Sequence, residues 1–211
     1  MTEKARRKPY CWASWITKLL AGEDRCWYKA WYKAHFQYAK TPDNQSRQDF
    51  FKEWTERHDA ITAREAARLR GLGYVVRVED DAEFKLTGES ADVAAKPDLV
   101  GVLGDDAVVI DAKSGRHRDS DGWQVSVYQF GLGLAWLAGF RIRGAVAYQD
   151  ENVSVPPLDE KRRDRIVEAI RAVAAETAPR PTPSNGECRY CDVAACEYRK
   201  HDAAGDATRF F

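Results

Sequence analysis

Residues 96 to 115, KPDLVGVLGDDAVVIDAKSG, carry Asp98, Asp111 and Lys113, three polar side chains that could act on one spot. Two apolar runs flank Gly104, Asp105 and Asp106, and Val and Ile dominate the second, so the stretch reads as a tight β-hairpin. A turn at Gly104-Asp105, with glycine supplying the positive φ of a type II′ turn, pairs Leu103 with Asp106. Counting outward then sets Asp98 opposite Asp111. Directly opposed side chains have Cβ atoms roughly 5 Å apart, and like charges at that distance repel. A cation bound between them relieves the repulsion. Alternation along the strand puts Lys113 on the face of Asp111 and turns Ala112 away, leaving its carbonyl available. The competing reading is an ordinary half-buried hairpin whose charges are solvated.

The elements on either side decide what else can reach that spot. A helix is expected from about residue 50 to 72, rich in Ala, Arg and Glu and ended by Gly71 and Gly73. It carries His58, a residue type that alone is more often satisfied in a core or on a surface than a ligand, and Glu65, which is expected to be solvated. After the hairpin, residues 114 to 122 read as a loop with Arg116, His117 and Arg118. Residues 123 to 140 are apolar almost all round, as in a helix buried between other elements. Its polar exceptions, Gln124 and Tyr128, are spaced i, i+4 and so share a face at the end nearest Lys113.

Further strands are expected at residues 74 to 78, near Phe84 and at 142 to 148. A basic helix with Lys161, Arg162, Arg163, Arg165 and Arg171 covers roughly 158 to 177, and 178 to 187 is a Pro-rich linker. Near the N-terminus, residues 12 to 21 suit a short helix stopped by Gly22, with Ser14 available as a cap. Residues 26 to 39 place Trp27, Trp31 and Tyr38 near one helix face and Lys29 and Lys33 on another. That face either stacks nucleic-acid bases or covers the core. Residues 41 to 49 read as a loop.

The 44% hydrophobic and 31% charged fractions over 211 residues are those of a globular domain able to bury a full core. Net charge is zero, which excludes a global field for nucleic acid. Its distribution is uneven: residues 1 to 40 carry nine Lys/Arg against three Asp/Glu, and residues 74 to 121 carry six against twelve. No signal peptide or membrane span is apparent, so the chain is expected to be cytoplasmic. In a reducing compartment, an odd number of cysteines with three in nine residues points to metal rather than disulfides. Cys188-x2-Cys191-x4-Cys196-x4-His201 has zinc-knuckle spacing with Cys and His exchanged in the last two places.

Pro97-Asp98 followed by Asp111-Ala112-Lys113 resembles the PD-(D/E)XK nuclease superfamily, with Asp in the D/E position. In its RecB-type branch a histidine on the helix before the sheet completes the metal site, and His58 lies in the corresponding place. Gln124 with Tyr128 looks like that branch's QxxxY motif. The resemblance implies an α/β, restriction-endonuclease-like core: a mixed central sheet flanked by helices in one nuclease domain over 1–211. Its parts are a helical N-terminal part (1–49), the core (50–178) and a linker with a Cys-rich tail (179–211).

It further implies Mg²⁺ or Mn²⁺ on His58, Asp98, Asp111 and the Ala112 carbonyl, with Asp98, Asp111, Lys113, Gln124 and Tyr128 catalytic. A subset that includes AddB and a CRISPR adaptation nuclease carries a 4Fe-4S cluster on one N-terminal and three C-terminal cysteines, which joins the N-terminal helices to the tail. Here four residues separate the last two cysteines where five are more usual. By that likeness Cys26 joins Cys188, Cys191 and Cys196, with Cys11 the other candidate and Zn²⁺ the other metal.

The activity implied is that of a metal-dependent DNA exonuclease acting on single strands or DNA ends in recombination, repair, phage or CRISPR-adaptation processing. A helicase or CRISPR adaptation proteins are the candidate partners. Two alternatives stay open: a non-catalytic nucleic-acid-binding module with a zinc-knuckle-like tail, and a nuclease subunit active only within a larger complex.

Overall fold

The hairpin forms with the expected register. Gly104 takes φ 58, Leu103 pairs with Asp106 and Leu99 with Ile110, so the pairing runs out toward Asp98 and Asp111. The structure is a computed structural model and describes residues 4–38, 45–194 and 196–199. In chain order it contains β1 (Lys4–Ala5), β2 (Tyr10–Trp12), α1 (Ser14–Ala21), α2 (Trp27–His35), β3 (Phe36–Gln37), α3 (Gln45–Gly71) and β4 (Val75–Val78). A 3-10 turn (Glu79–Ala82) leads to β5 (Phe84–Thr87), β6 (Asp92–Ala95), β7 (Leu99–Leu103), β8 (Asp106–Ala112) and α4 (Asp119–Ala135). β9 (Arg141–Ala147), β10 (Asn152–Val155), α5 (Glu160–Ala174) and α6 (Asn185–Arg189) complete the described part.

The central sheet has the order β10-β9-β8-β7-β4 and is mixed, because β8 and β9 run parallel while the other neighbours are antiparallel. Alternation along β8 serves two cores. Ala107 and Val109 pack with Val125, Val127 and Leu132 of α4, whereas Ile110 and Ala112 pack with Ile61, Ala66 and Leu69 of α3. A sheet covered on both faces by helices is the α/β arrangement expected for this core. A second sheet, β2-β6-β5, contains the strand expected near Phe84 as β5 and two strands without a sequence signal. β2 is only three residues long and β6 is rich in alanine.

Several boundaries differ from expectation. Ser14 is the first helical residue rather than the cap; Ala13 holds the cap position with no side-chain bond. Trp12 belongs to β2. The second helix ends at His35, and Phe36 and Gln37 pair with Ala5 and Lys4, so Tyr38 lies outside the helix. Residues 45 to 49 start α3 rather than continuing a loop. α4 begins four residues early because the Asp121 carboxylate accepts the Arg118 N–H at 3.1 Å, closing a cap within what reads as polar loop. The helix stops at Ala135, and Gly139 at φ 83 turns the chain into β9. β10 forms ahead of Pro156 and Pro157, where no strand is expected, and α6 begins inside the expected linker and runs past its end at residue 187. Among the described residues no helix is long and apolar enough to cross a membrane.

α4 is apolar all round because it packs against β8 and β9 and also against β5 and β6. Glycines permit both approaches. A Cβ at Gly131 would sit 2.1 Å from the Phe84 ring, and one at Gly144 would sit 2.4 Å from Val125. Gly133 of the same helix has only ordinary contact, with Ile142 at 3.6 Å. Gly131→Ala is therefore expected to lose about 1–3 kcal/mol of stability through overpacking. Gly133→Ala is expected to be neutral or to gain up to ~1 kcal/mol from helix propensity. Urea unfolding midpoints of the two variants check the contrast, and equal midpoints would contradict the tight α4–β5 contact.

Candidate active site

Asp111 is the centre of the site. It lies one residue from the end of β8 and is 1% exposed, on the sheet face that meets α4. Its Oδ1 accepts the Gln124 Nε2–H at 3.0 Å, and its Oδ2 lies 2.5 Å from Lys113 Nζ. That Oδ2 is buried and has no hydrogen bond of good geometry. Burial pushes the Asp111 carboxyl up to about 7; Lys113 opposes the shift and Asp98 adds to it. For Lys113, burial favours the neutral amine, but the carboxylates of Asp111 and then Asp98 outweigh it and hold the ammonium above its ordinary range. The pair thus keeps its positive partner charged while the carboxylate is strained by desolvation.

Asp98 closes the opposite corner. Its Oδ2 accepts the Ala112 N–H at 2.6 Å and lies 3.2 Å from His58 Nε2. That hydrogen bond to Asp98 raises the His58 pKa against the opposing effect of burial. The Ala112 side chain points to the α3 side of the sheet, as the alternation required. Gln124 bridges the set: beyond Asp111, its amide reaches the Tyr128 hydroxyl at 2.5 Å and its Oε1 accepts from Lys113 Nζ at 3.4 Å. Tyr128 donates to the Lys96 carbonyl at 3.4 Å, and burial, reinforced by Asp111 and Asp98, keeps it a phenol. His58, Asp98, Asp111, Lys113, Gln124 and Tyr128 therefore form one connected group at the open end of the hairpin.

The buried and incompletely bonded Asp111 Oδ2, with Asp98 and His58 nearby, offers donor types suited to a hard divalent cation. Among the described residues, the set whose ligating atoms already lie within 4.8 Å of one another is His58 with Asp59 and Glu79, and it does not include Asp98 or Asp111. Asp59 and Glu79 are exposed or half-buried.

Residues not singled out by sequence hold the site in place. Asp121 is buried and accepts the Tyr148 hydroxyl at 2.8 Å as well as the Arg118 N–H, fixing the start of α4 against β9. Glu23 accepts the Ser120 N–H and Oγ–H at 2.9 Å each. An acid three residues after the extended N-cap residue Arg118 is the half of a capping box that could have revealed Asp121. Glu65 is 2% exposed rather than solvated: Arg68, Asn152 and Arg64 donate to it at 2.7, 2.9 and 3.1 Å. Three donors from two elements satisfy a charge that sequence leaves without partners.

Beside Lys113 a groove runs between Ser114–His117 and Tyr148–Glu151. The His117 ring stacks on Tyr148 with centroids 3.6 Å apart. Other basic and aromatic candidates are structural. Tyr28, Trp31 and Tyr32 are buried in a small cluster of their own with Cys26 and Val193, and Trp31 donates to the Ala175 carbonyl at 2.7 Å. Arg162 and Arg165 lie over the Trp123 ring at 5.1 and 4.4 Å.

The cysteines separate clearly. Cys26, Cys188, Cys191 and Cys196 line one cavity with Tyr28, Tyr32 and Val193, and none of the five cysteines is in a disulfide. Cys11 is elsewhere, in β2 within the main core, where burial pushes its thiol up to about 12. Four cysteines lining one space supply the donor set of a thiolate-bound cluster, and among the described residues no three of their sulfurs lie within 4.8 Å of one another, the spacing a single metal ion would need. His201, the zinc-knuckle candidate, lies outside the described residues.

No curated protein sequence matches the chain. Among solved structures, the crystal structure of SSO0001 aligns over 94% of this chain and 90% of its own, with 15% identity and a TM-score of 0.49. The sequence profile of the PD-(D/E)XK nuclease superfamily matches residues 16–196, which span α1, the hairpin, α4 and all four cysteines of the cavity. With Pro97-Asp98 and Asp111-Ala112-Lys113 inside that match, the chain belongs to the PD-(D/E)XK nuclease superfamily.

Proposed function

We propose that the protein is a divalent-cation-dependent DNA exonuclease acting on single strands or DNA ends. The observation that carries this reading is the buried Asp111 carboxylate, held between Lys113 and Gln124. No structural need is served by burying a carboxylate that desolvation destabilises. His58, Asp98, Asp111 and the Ala112 carbonyl would hold Mg²⁺ or Mn²⁺. When bound, such a cation supplies a water nucleophile at neutral pH and charge stabilisation at the phosphoryl oxygens.

The chain's own residues do the rest. Lys113, kept charged by the carboxylates around it, orients the attacking water and meets the negative charge that develops on phosphorus oxygens. Gln124 holds Asp111, Lys113 and Tyr128 in mutual register, which pre-pays their ordering before substrate arrives. Asp98, fixed by the Ala112 N–H, cannot swing away from His58 without breaking a 2.6 Å hydrogen bond. The groove along Ser114–His117 gives a strand a path leading to Lys113. A strand fed from an end is the substrate we assign, with unwinding supplied by a helicase or by CRISPR adaptation proteins where duplex must be opened.

Cys26, Cys188, Cys191 and Cys196 would hold a 4Fe-4S cluster that fastens α2 to the tail. Their convergence on one cavity, with Cys11 buried in a different core, supports this ligand set.

On purified protein with Mn²⁺ and end-labelled DNA, Lys113→Met and Asp111→Asn are each expected to lower the cleavage rate by at least ~10²-fold, as loss of a charge-stabilising group does. Unchanged cleavage by Lys113→Met would reject the mechanism. Anaerobic preparations of wild type and Cys11→Ser should be brown with matching iron content. Cys26→Ser should lose that colour, and zinc in place of iron in the wild type would reject the cluster.

A further inference from the structure

The acidic residues beside the tail cysteines make contacts that a thiolate site does not itself require. Glu187 immediately precedes Cys188. Its Oε1 accepts the backbone N–H groups of Arg25 at 2.7 Å and Cys26 at 2.9 Å, across more than 160 residues of chain. Its Oε2 accepts the Ser184 N–H at 2.7 Å, and the Ser184 hydroxyl accepts the Glu187 N–H at 3.2 Å, so the same carboxylate caps α6 and grips the start of α2.

Asp192 immediately follows Cys191. Its Oδ1 lies 2.7 Å from Lys33 Nζ, and its Oδ2 accepts from Lys33 Nζ at 2.8 Å and from the Tyr38 hydroxyl at 2.9 Å. Lys33 is 7% exposed, and its ammonium also faces the rings of Trp15 and Tyr38 at 5.7 and 5.8 Å. Between these two fastenings, Arg199 donates to the carbonyls of Cys191 at 2.7 Å and Val193 at 2.9 Å, fixing the loop that carries the thiols.

Tail segments that are held only by metal stay unfolded until the metal binds. Here the fastenings are protein to protein, and they sit at both ends of α2, whose first flanking residue is Cys26. A buried ammonium stripped of its carboxylate is strongly unfavourable, so the Lys33–Asp192 contact commits the tail to one position. We infer that Glu187 and the Lys33–Asp192 pair are positioning residues that preassemble the cysteine site: they dock the tail on α2 in the cluster-free protein and bring Cys188, Cys191 and Cys196 to the cavity that Cys26 lines before any metal enters. This rests on reading the four cysteines as a cluster site. It adds that the site exists ahead of its occupant.

The test uses the full chain, made cluster-free by chelation under anaerobic reducing conditions. Amide hydrogen exchange is read at Arg25 and Cys26 and across residues 186–199. In wild type these amides should stay protected at least ~10-fold relative to unstructured chain, the scale of one charge-assisted hydrogen bond. Asp192→Ala and Glu187→Ala should each erase tail protection while α4 exchanges as in wild type, which shows that the core is still folded. On addition of limiting Fe²⁺ and sulfide, both variants should incorporate iron several-fold more slowly. Glu187→Gln, which keeps a neutral acceptor, should recover part of the rate.

Cluster-free wild type whose tail exchanges like unstructured chain until iron arrives would overturn the inference, and so would full tail protection in both alanine variants. A protected wild-type tail that takes up neither iron nor zinc would refute the cluster reading and preassembly with it. That result is distinguishable because docking would persist without uptake.

Discussion

A carboxylate buried to 1% exposure needs a counter-charge, and the arrangement of the protein around Asp111 follows from that need. Lys113 supplies part of it from two residues along the same strand face, and Gln124 supplies a hydrogen bond from α4. Neither satisfies Oδ2 fully. The sheet delivers Asp98 to the same corner through hairpin register, and Asp98 in turn engages His58 from α3. Elements that share no sequence neighbourhood thus meet at one under-compensated charge. The glycines that let α4 approach β5 and β9 are part of the same requirement, since Gln124 and Tyr128 reach Asp111 only if the helix lies close.

The second organising constraint lies around the cysteine cavity. Four thiols share a cavity, and the acids flanking two of them bind α2 rather than solvent. α2 and the cysteine-bearing tail segment, far apart in sequence, are thereby tied to one another. The Asp111 corner has its own supports: Asp121 with Tyr148 and Glu23 with Ser120 fix the start of α4, and Glu65 with Arg64, Arg68 and Asn152 ties α3 to β10. Glu23 lies two residues before Arg25, which Glu187 of the tail holds, so the two regions share the segment between α1 and α2.

Much of the site was legible because local rules determine it. A glycine turn fixes hairpin register, register fixes which carboxylates face each other, and i, i+4 spacing fixes Gln124 over Tyr128. What was not legible depends on partners distant in sequence. Glu65 reads as solvated until the arginines beside it and Asn152 from another strand are seen to enclose it. The short strands β2 and β6 pair across some 80 residues and have no alternation long enough to detect. The start of α4 hid in a polar stretch because its cap is Asp121 reaching back to Arg118.

If the strained Asp111 carboxyl is the seat of a divalent cation, calorimetric titration of the protein with Mn²⁺ in buffers of different ionisation enthalpy reads it out. Because burial lifts that carboxyl above its ordinary range, cation binding is accompanied by release of the proton it retains. Saturable Mn²⁺ binding is expected, with proton release that fades as pH rises, and loss of both binding and release in Asp111→Asn. Mn²⁺ binding with unchanged affinity in Asp111→Asn would contradict it.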